Sequence, residues 1–169
     1  LIVDVEGILE ALRSRPEPPL TPRQIWDPKL SRAIESRVSD PAARSALHLW
    51  NDDLARAHEL AQEIETTLGS CLHGTMHRRE PDYDNARYWF RRVGKHPVGG
   101  QIREAALELV GEAPALQEIL ASIRRRRDWD ALAMVDWCER AAEAPELDRF
   151  LRGVQARELE ALARHCVER

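Results

Sequence analysis

Apolar residues recur along most of this chain at intervals of three and four, a spacing that predicts helices almost end to end. The opening LIVDVEGILEAL carries Asp4, Glu6 and Glu10 and no basic leader, so it reads as an amphipathic first helix rather than a secretion signal. Pro16, Pro18, Pro19 and Pro22 then interrupt the pattern and predict an extended connection over 15–27, with Trp26 anchored on the core. A short helix over 28–37 follows, and Asp40-Pro41 supplies a cap with proline at the next helical start. From there Ala43, Leu47, Trp50, Leu54, Ala57, Ala61, Ile64 and Leu68 alternate by fours and threes on one seam. This seam predicts one long central helix over about 40–69, the spine of a bundle, ended or bent by Gly69.

Further on, Pro81 disfavours helical geometry at Glu80, Asp82 is placed to cap a helix over Tyr83–Val93, and Gly94 closes it. Shorter helices are predicted over 99–110, 114–124, 129–142 and 145–167, punctuated by Gly111, Pro114 and Pro145. No internal repeat or shift in composition divides the chain. The expected architecture is an all-α, single-domain helical bundle spanning residues 1–169.

Composition supports this. Of 169 residues 43% are hydrophobic, enough for one core without staples, and 32% are charged against only 5% aromatic, a mixture that favours helix. A formal net charge of −4 argues against general nucleic-acid binding, and the basic run Arg124 to Arg127 reads as favouring a helix C-terminus. Cys71, Cys138 and Cys166 are odd in number and show no CxxC spacing, which fits neither a disulfide framework nor a zinc ribbon and suits a reducing cytoplasm. No window approaches the roughly 18 apolar residues of a membrane span. Glycine-rich phosphate loops and a GxSxG elbow are also missing from the sequence.

The chemistry concentrates between Leu72 and Pro97. His73 and His77 are four apart and share a helix face, a spacing that suits two ligands on one metal ion, with His58 as the third donor. From His77 to His96 six bases (Arg78, Arg79, Arg87, Arg91, Arg92, Lys95) face three acids (Glu80, Asp82, Asp84), giving a local charge of +3 and leaving −7 for the rest. Such a basic island suits a small anion, with arginine forks as donors and Tyr83, Tyr88 or Trp89 as a stacking surface. The structural alternative is that these arginines cap the helix and pair with neighbouring acids.

The string MHRREPDYDNARYWFRRVGKHPV resembles the signature of an uncharacterised family of bacterial proteins, close to HRREPDYxNAKYWFRRVGxHP after a helix bearing an acidic pair and a histidine. The matching positions are Asp52, Asp53 and His58, then His73, Met76 to Asp82, Asn85 to Gly94, and His96-Pro97, within residues 45–98. Leu72 stands where family members carry an aromatic residue. The resemblance brings no reaction, cofactor or substrate; it implies that Asp53, His58, His73, His77, Glu80, Asp82 and the arginines form one recurring unit.

Taken together, the sequence predicts a polar pocket in which His58, His73 and His77 are the metal ligands and Arg79, Arg87, Arg91, Arg92, His96 and Tyr88 receive a small anionic molecule, alone or with a divalent metal. In an enzymatic version His77 and Glu80 are the catalytic pair, with Glu80 or Asp53 orienting an imidazole. The competing expectation is a non-catalytic scaffold or interaction module in which the same residues form a satisfied polar network.

Overall fold

The computed structural model describes residues 4–169; the reading of Leu1 to Val3 as part of the first helix lies outside them. Among the described residues the fold is all-α, with ten α-helices and no strand. Capping follows the sequence closely. Asp4 accepts from the Gly7 N–H to start α1 (Val5–Ser14), Asp27 precedes Pro28 at the start of α2 (Pro28–Arg37), and Asp40 precedes Pro41 at the start of α3 (Pro41–Trp50).

The long central helix is not formed. The seam is divided among α3, α4 (Leu54–Gln62) and the start of α5 (Thr67–Arg79). Asp52 adopts a left-handed φ of 62°, and Asp53 turns its carboxylate onto the Arg56 N–H to begin α4. Folding back lets the Ser45 hydroxyl donate to the Ala57 carbonyl at 2.9 Å. In a continuous helix those residues would stand about 18 Å apart along the axis. The seam residues Ala43, Leu47, Trp50, Ala57 and Ala61 are nonetheless buried, because both arms turn the same apolar face inward. A second break follows at Glu63, and Thr66 caps α5 through the Gly69 N–H. Gly69 therefore lies inside a first turn rather than ending a helix, and a Cβ there would fall 1.9 Å from the Ile64 carbonyl oxygen.

The remaining elements are α6 (Tyr83–Phe90), α7 (Gly99–Leu109), a 3-10 turn (Pro114–Leu116) leading into α8 (Gln117–Arg125), α9 (Ala131–Ala141) and α10 (Pro145–Val167). At 23 residues α10 is the longest helix among them. Two hydrophobic clusters result. One joins α6 to α9 with Leu147, Phe150, Leu151, Val154 and Leu162 of α10; the other joins α1 to α4 with Leu159, Ala163 and Cys166 of the same helix. Helix α5 contributes to both and is buried from Leu68 to Arg79.

Burying α5 puts two guanidinium groups in the interior. Arg78 donates to both Glu158 oxygens on α10 and to Gln155 at 3.3 Å. Arg79 donates to the Leu49 carbonyl, to Pro19 O at 3.0 Å and to Asp52 at 2.7 Å, and Asp52 also pairs with Arg15. The left-handed turn at Asp52 thus aims its carboxylate between two arginines. Burial alone would raise the Glu158 pKa, but Arg78 and His96 outweigh it and hold the carboxyl at about 2. Glu158→Ala leaves Arg78 buried and unpaired and is expected to lower unfolding free energy by about 3–5 kcal/mol in urea denaturation. Arg78→Met combined with Glu158→Met should recover most of that loss.

Candidate functional site

The lower end of α5 presents His73 and His77 to α4, and His58 of α4 meets them. Ring centroids lie 4.8 Å apart for His58 and His73, 5.2 Å for His58 and His77, and 5.3 Å for His73 and His77. One nitrogen of each ring falls within 4.8 Å of the others. Nitrogens on one tetrahedral zinc, each about 2.0–2.1 Å from it, lie about 3.4 Å apart, so modest ring rotations bring the three to ligand geometry. His73 and His77 are buried and His58 is half-buried.

The triad has a built surround. Gly74 lets the Phe90 ring of α6 approach to within 3.0 Å of where a Cβ would stand, and the neighbouring Trp89 stacks on His73 at 4.0 Å with the rings 3° from parallel. Gln62 Nε2 lies 3.2 Å from His58 Nε2. His77 Nδ1 is buried without a hydrogen-bond partner and sits 3.9 Å from both the Glu80 and the Asp82 carboxylates. That arrangement places a carboxylate behind an imidazole, as in sites where an outer carboxylate fixes the tautomer of a ligating histidine. Asp82 is itself held by Asn85, whose side-chain hydrogen bond lowers the Asp82 pKa.

Burial, reinforced by repulsion from His58 and His77, lowers the His73 pKa from 6.5 to about 4, and burial also lowers that of His77. Both rings are therefore neutral at pH 7, with lone pairs free to ligate.

The residues expected to receive an anion do not converge on this triad as one set. Arg79 is enclosed by Asp52 and backbone carbonyls, where burial lowers its pKa to about 10 despite the carboxylate. His96 lies in a separate interior cluster, 3.3 Å from Cys71 Sγ and 3.7 Å from Glu158, with Nδ1 accepting from Val98 N–H. Cys71 and Glu158 approach the same His96 nitrogen, and burial pushes the thiol pKa up, so the trio lacks the geometry of a nucleophile and its base. Arg87 is committed to Asp136, Glu139 and Asp84. Arg91 is exposed, and Arg92 lies over the Tyr88 and Trp89 rings at 5.5 and 5.8 Å. Tyr88 is half exposed beside Arg92.

Asp53, expected to orient an imidazole of the triad, accepts instead from Ser31 Oγ at 2.9 Å and lies 3.4 Å from His48 Nδ1. His48, which the sequence reading passed over, is fully buried with Nε2 2.8 Å from Glu35, and Arg56 reaches the same carboxylate. Its place on the Ala43-to-Trp50 arm gave no local sign of a partner thirteen residues back. The structure thus brings together His58, His73, His77, Glu80 and Asp82, with Trp89 as an added wall.

For the metal-free protein, His73 should stay neutral down to pH 5 and titrate near 4 in imidazole nitrogen NMR spectra. Because its folded pKa lies below the unfolded value, its contribution to stability is present above about pH 6.5 and is lost as pH falls towards 4. Titration near 6.5 would contradict the buried, mutually repelling arrangement.

No protein-family model matches the chain, and no curated protein and no solved structure matches it. What the triad can do therefore follows from its own geometry.

Proposed function

We propose that this is a divalent-metal protein in which His58, His73 and His77 hold a zinc-class ion and a small anionic ligand takes the remaining coordination position. The observation that carries the reading is the convergence of three imidazoles from two helices around one point, two of them neutral by burial and one backed by carboxylates. Three histidine nitrogens leave a tetrahedral ion one open position, where it can polarise a ligand oxygen or bind a water of pKa about 7. Imidazole donors favour zinc or a similar transition metal over magnesium or calcium.

The scaffold alternative has its own support in Arg78, Arg79 and His96, whose partners are all internal and whose role is structural. It explains those residues. It gives no reason for three imidazoles from two helices to meet with their nitrogens within 4.8 Å of one another.

Untagged protein is expected to bind about one zinc ion per chain by elemental analysis after gel filtration. Adding zinc at 100 times its Kd should stabilise the fold by about 2.7 kcal/mol. His73→Ala and His77→Ala should each weaken zinc binding at least about a hundredfold while retaining a helical circular-dichroism spectrum. Absence of bound zinc together with an unchanged melting temperature would refute the proposal, and unfolding of both variants with no zinc effect on the parent would establish the scaffold.

A further inference from the structure

Beside the triad opens a cleft of about 580 Å³, walled by the end of α4, the first turn of α5 and α6. Gln62, which contacts His58, and Trp89, which stacks on His73, both line it, so cleft and triad share two walls. The volume lies within the range of small-molecule sites.

Three donors face this space. At the start of the 13-residue α5 the Thr66 hydroxyl takes the Gly69 N–H at 3.2 Å, while the Thr67 and Leu68 N–H groups precede any intrahelical acceptor. Ser70 lines the cleft, is only 9% exposed, and its hydroxyl makes no hydrogen bond among the described residues. Arg92 also lines it, propped over Trp89 and Tyr88 with the Tyr88 hydroxyl at 3.2 Å, and no carboxylate of the described residues pairs with it. One acid, the exposed Glu65, stands at the wall. An unpartnered hydroxyl on a nine-tenths-buried serine, a helix N-terminus and an arginine without a carboxylate together form an oxyanion seat.

We infer that this cleft binds the phosphate or carboxylate group of a small molecule whose other end reaches the metal position, a reading that rests on the proposed metal centre for its second pole. Ser70 precedes His73 by three residues and His77 by seven, about 4.5 and 10.5 Å along the helix. The ligand is thus a molecule of a few carbons carrying an oxyanion at one end and a metal-binding oxygen at the other.

The anion pole can be tested apart from the metal. Chelator-treated protein is titrated with inorganic phosphate and, in parallel, with acetate, following the backbone amide signals of Thr67, Leu68 and Ser70. Saturable shifts at those amides are expected without zinc. Arg92→Gln should weaken binding about tenfold, whereas Arg91→Gln, the same change of charge at an exposed neighbour outside the cleft, should leave it within about twofold. Glu65→Gln should tighten it about two- to threefold. Stronger binding of phosphate marks a phosphate ester as the ligand class, and stronger binding of acetate marks a carboxylate. No saturable shift without zinc, or equal loss in the Arg91 and Arg92 variants, overturns the seat even if zinc binds the triad. Anion binding with the expected variant pattern in a protein that binds no zinc supports the seat while refuting the metal centre.

Discussion

Two consecutive arginines at the end of α5 must each find a counter-charge inside the protein, and the rest of the architecture is arranged around that requirement. Successive residues on a helix point about 100° apart, and Arg78 and Arg79 leave α5 towards different partners. Arg78 reaches Glu158 on α10, and Arg79 reaches Asp52 in the link between α3 and α4. A buried guanidinium without its carboxylate costs several kcal/mol, so only one rotation of α5 about its axis is tolerated. That rotation turns His73 and His77 towards α4, where His58 stands.

The same constraint accounts for the shape of the surrounding helices. Asp52 accepts a left-handed backbone because its carboxylate then serves Arg15 and Arg79 together, and the chain reverses there instead of running on as one helix. Helix α10 is long because it must pack against both hydrophobic clusters while delivering Glu158 to the boundary between them. With its other sides committed to ion pairs and apolar packing, α5 has one face left for chemistry. There His73 and His77 are kept neutral chiefly by burial, with His58 adding repulsion on both, and Trp89 stiffens the first of them.

Much of this was legible where the interaction is local. The four-residue spacing of His73 and His77, the Glu80-Pro81-Asp82 turn behind them and the caps at Asp40 and Asp82 all lie within a few residues of their effects. His58 could be singled out because it flanks the buried seam. The seam itself misled on helix length, since apolar spacing continues unbroken through Asn51 to Asp53, and three polar residues in succession were the cue that the helix stops. The destinations of the arginines were not legible. Glu158 is 80 residues from Arg78, and Asp136 and Glu139 are about 50 from Arg87, so a local charge count included in the basic island Arg78, Arg79 and Arg87, which distant acids neutralise in space. Arg91, Arg92 and Lys95 pair with no acid among the described residues, and Arg92 is held instead over aromatic rings.

The most direct test of the α5 account is crystallography of zinc-soaked protein with data collected on both sides of the zinc absorption edge. The arrangement predicts one anomalous peak between α4 and α5, about 2.0–2.1 Å from one nitrogen each of His58, His73 and His77. A peak elsewhere on the protein, or none at this position in crystals exposed to zinc, would contradict it.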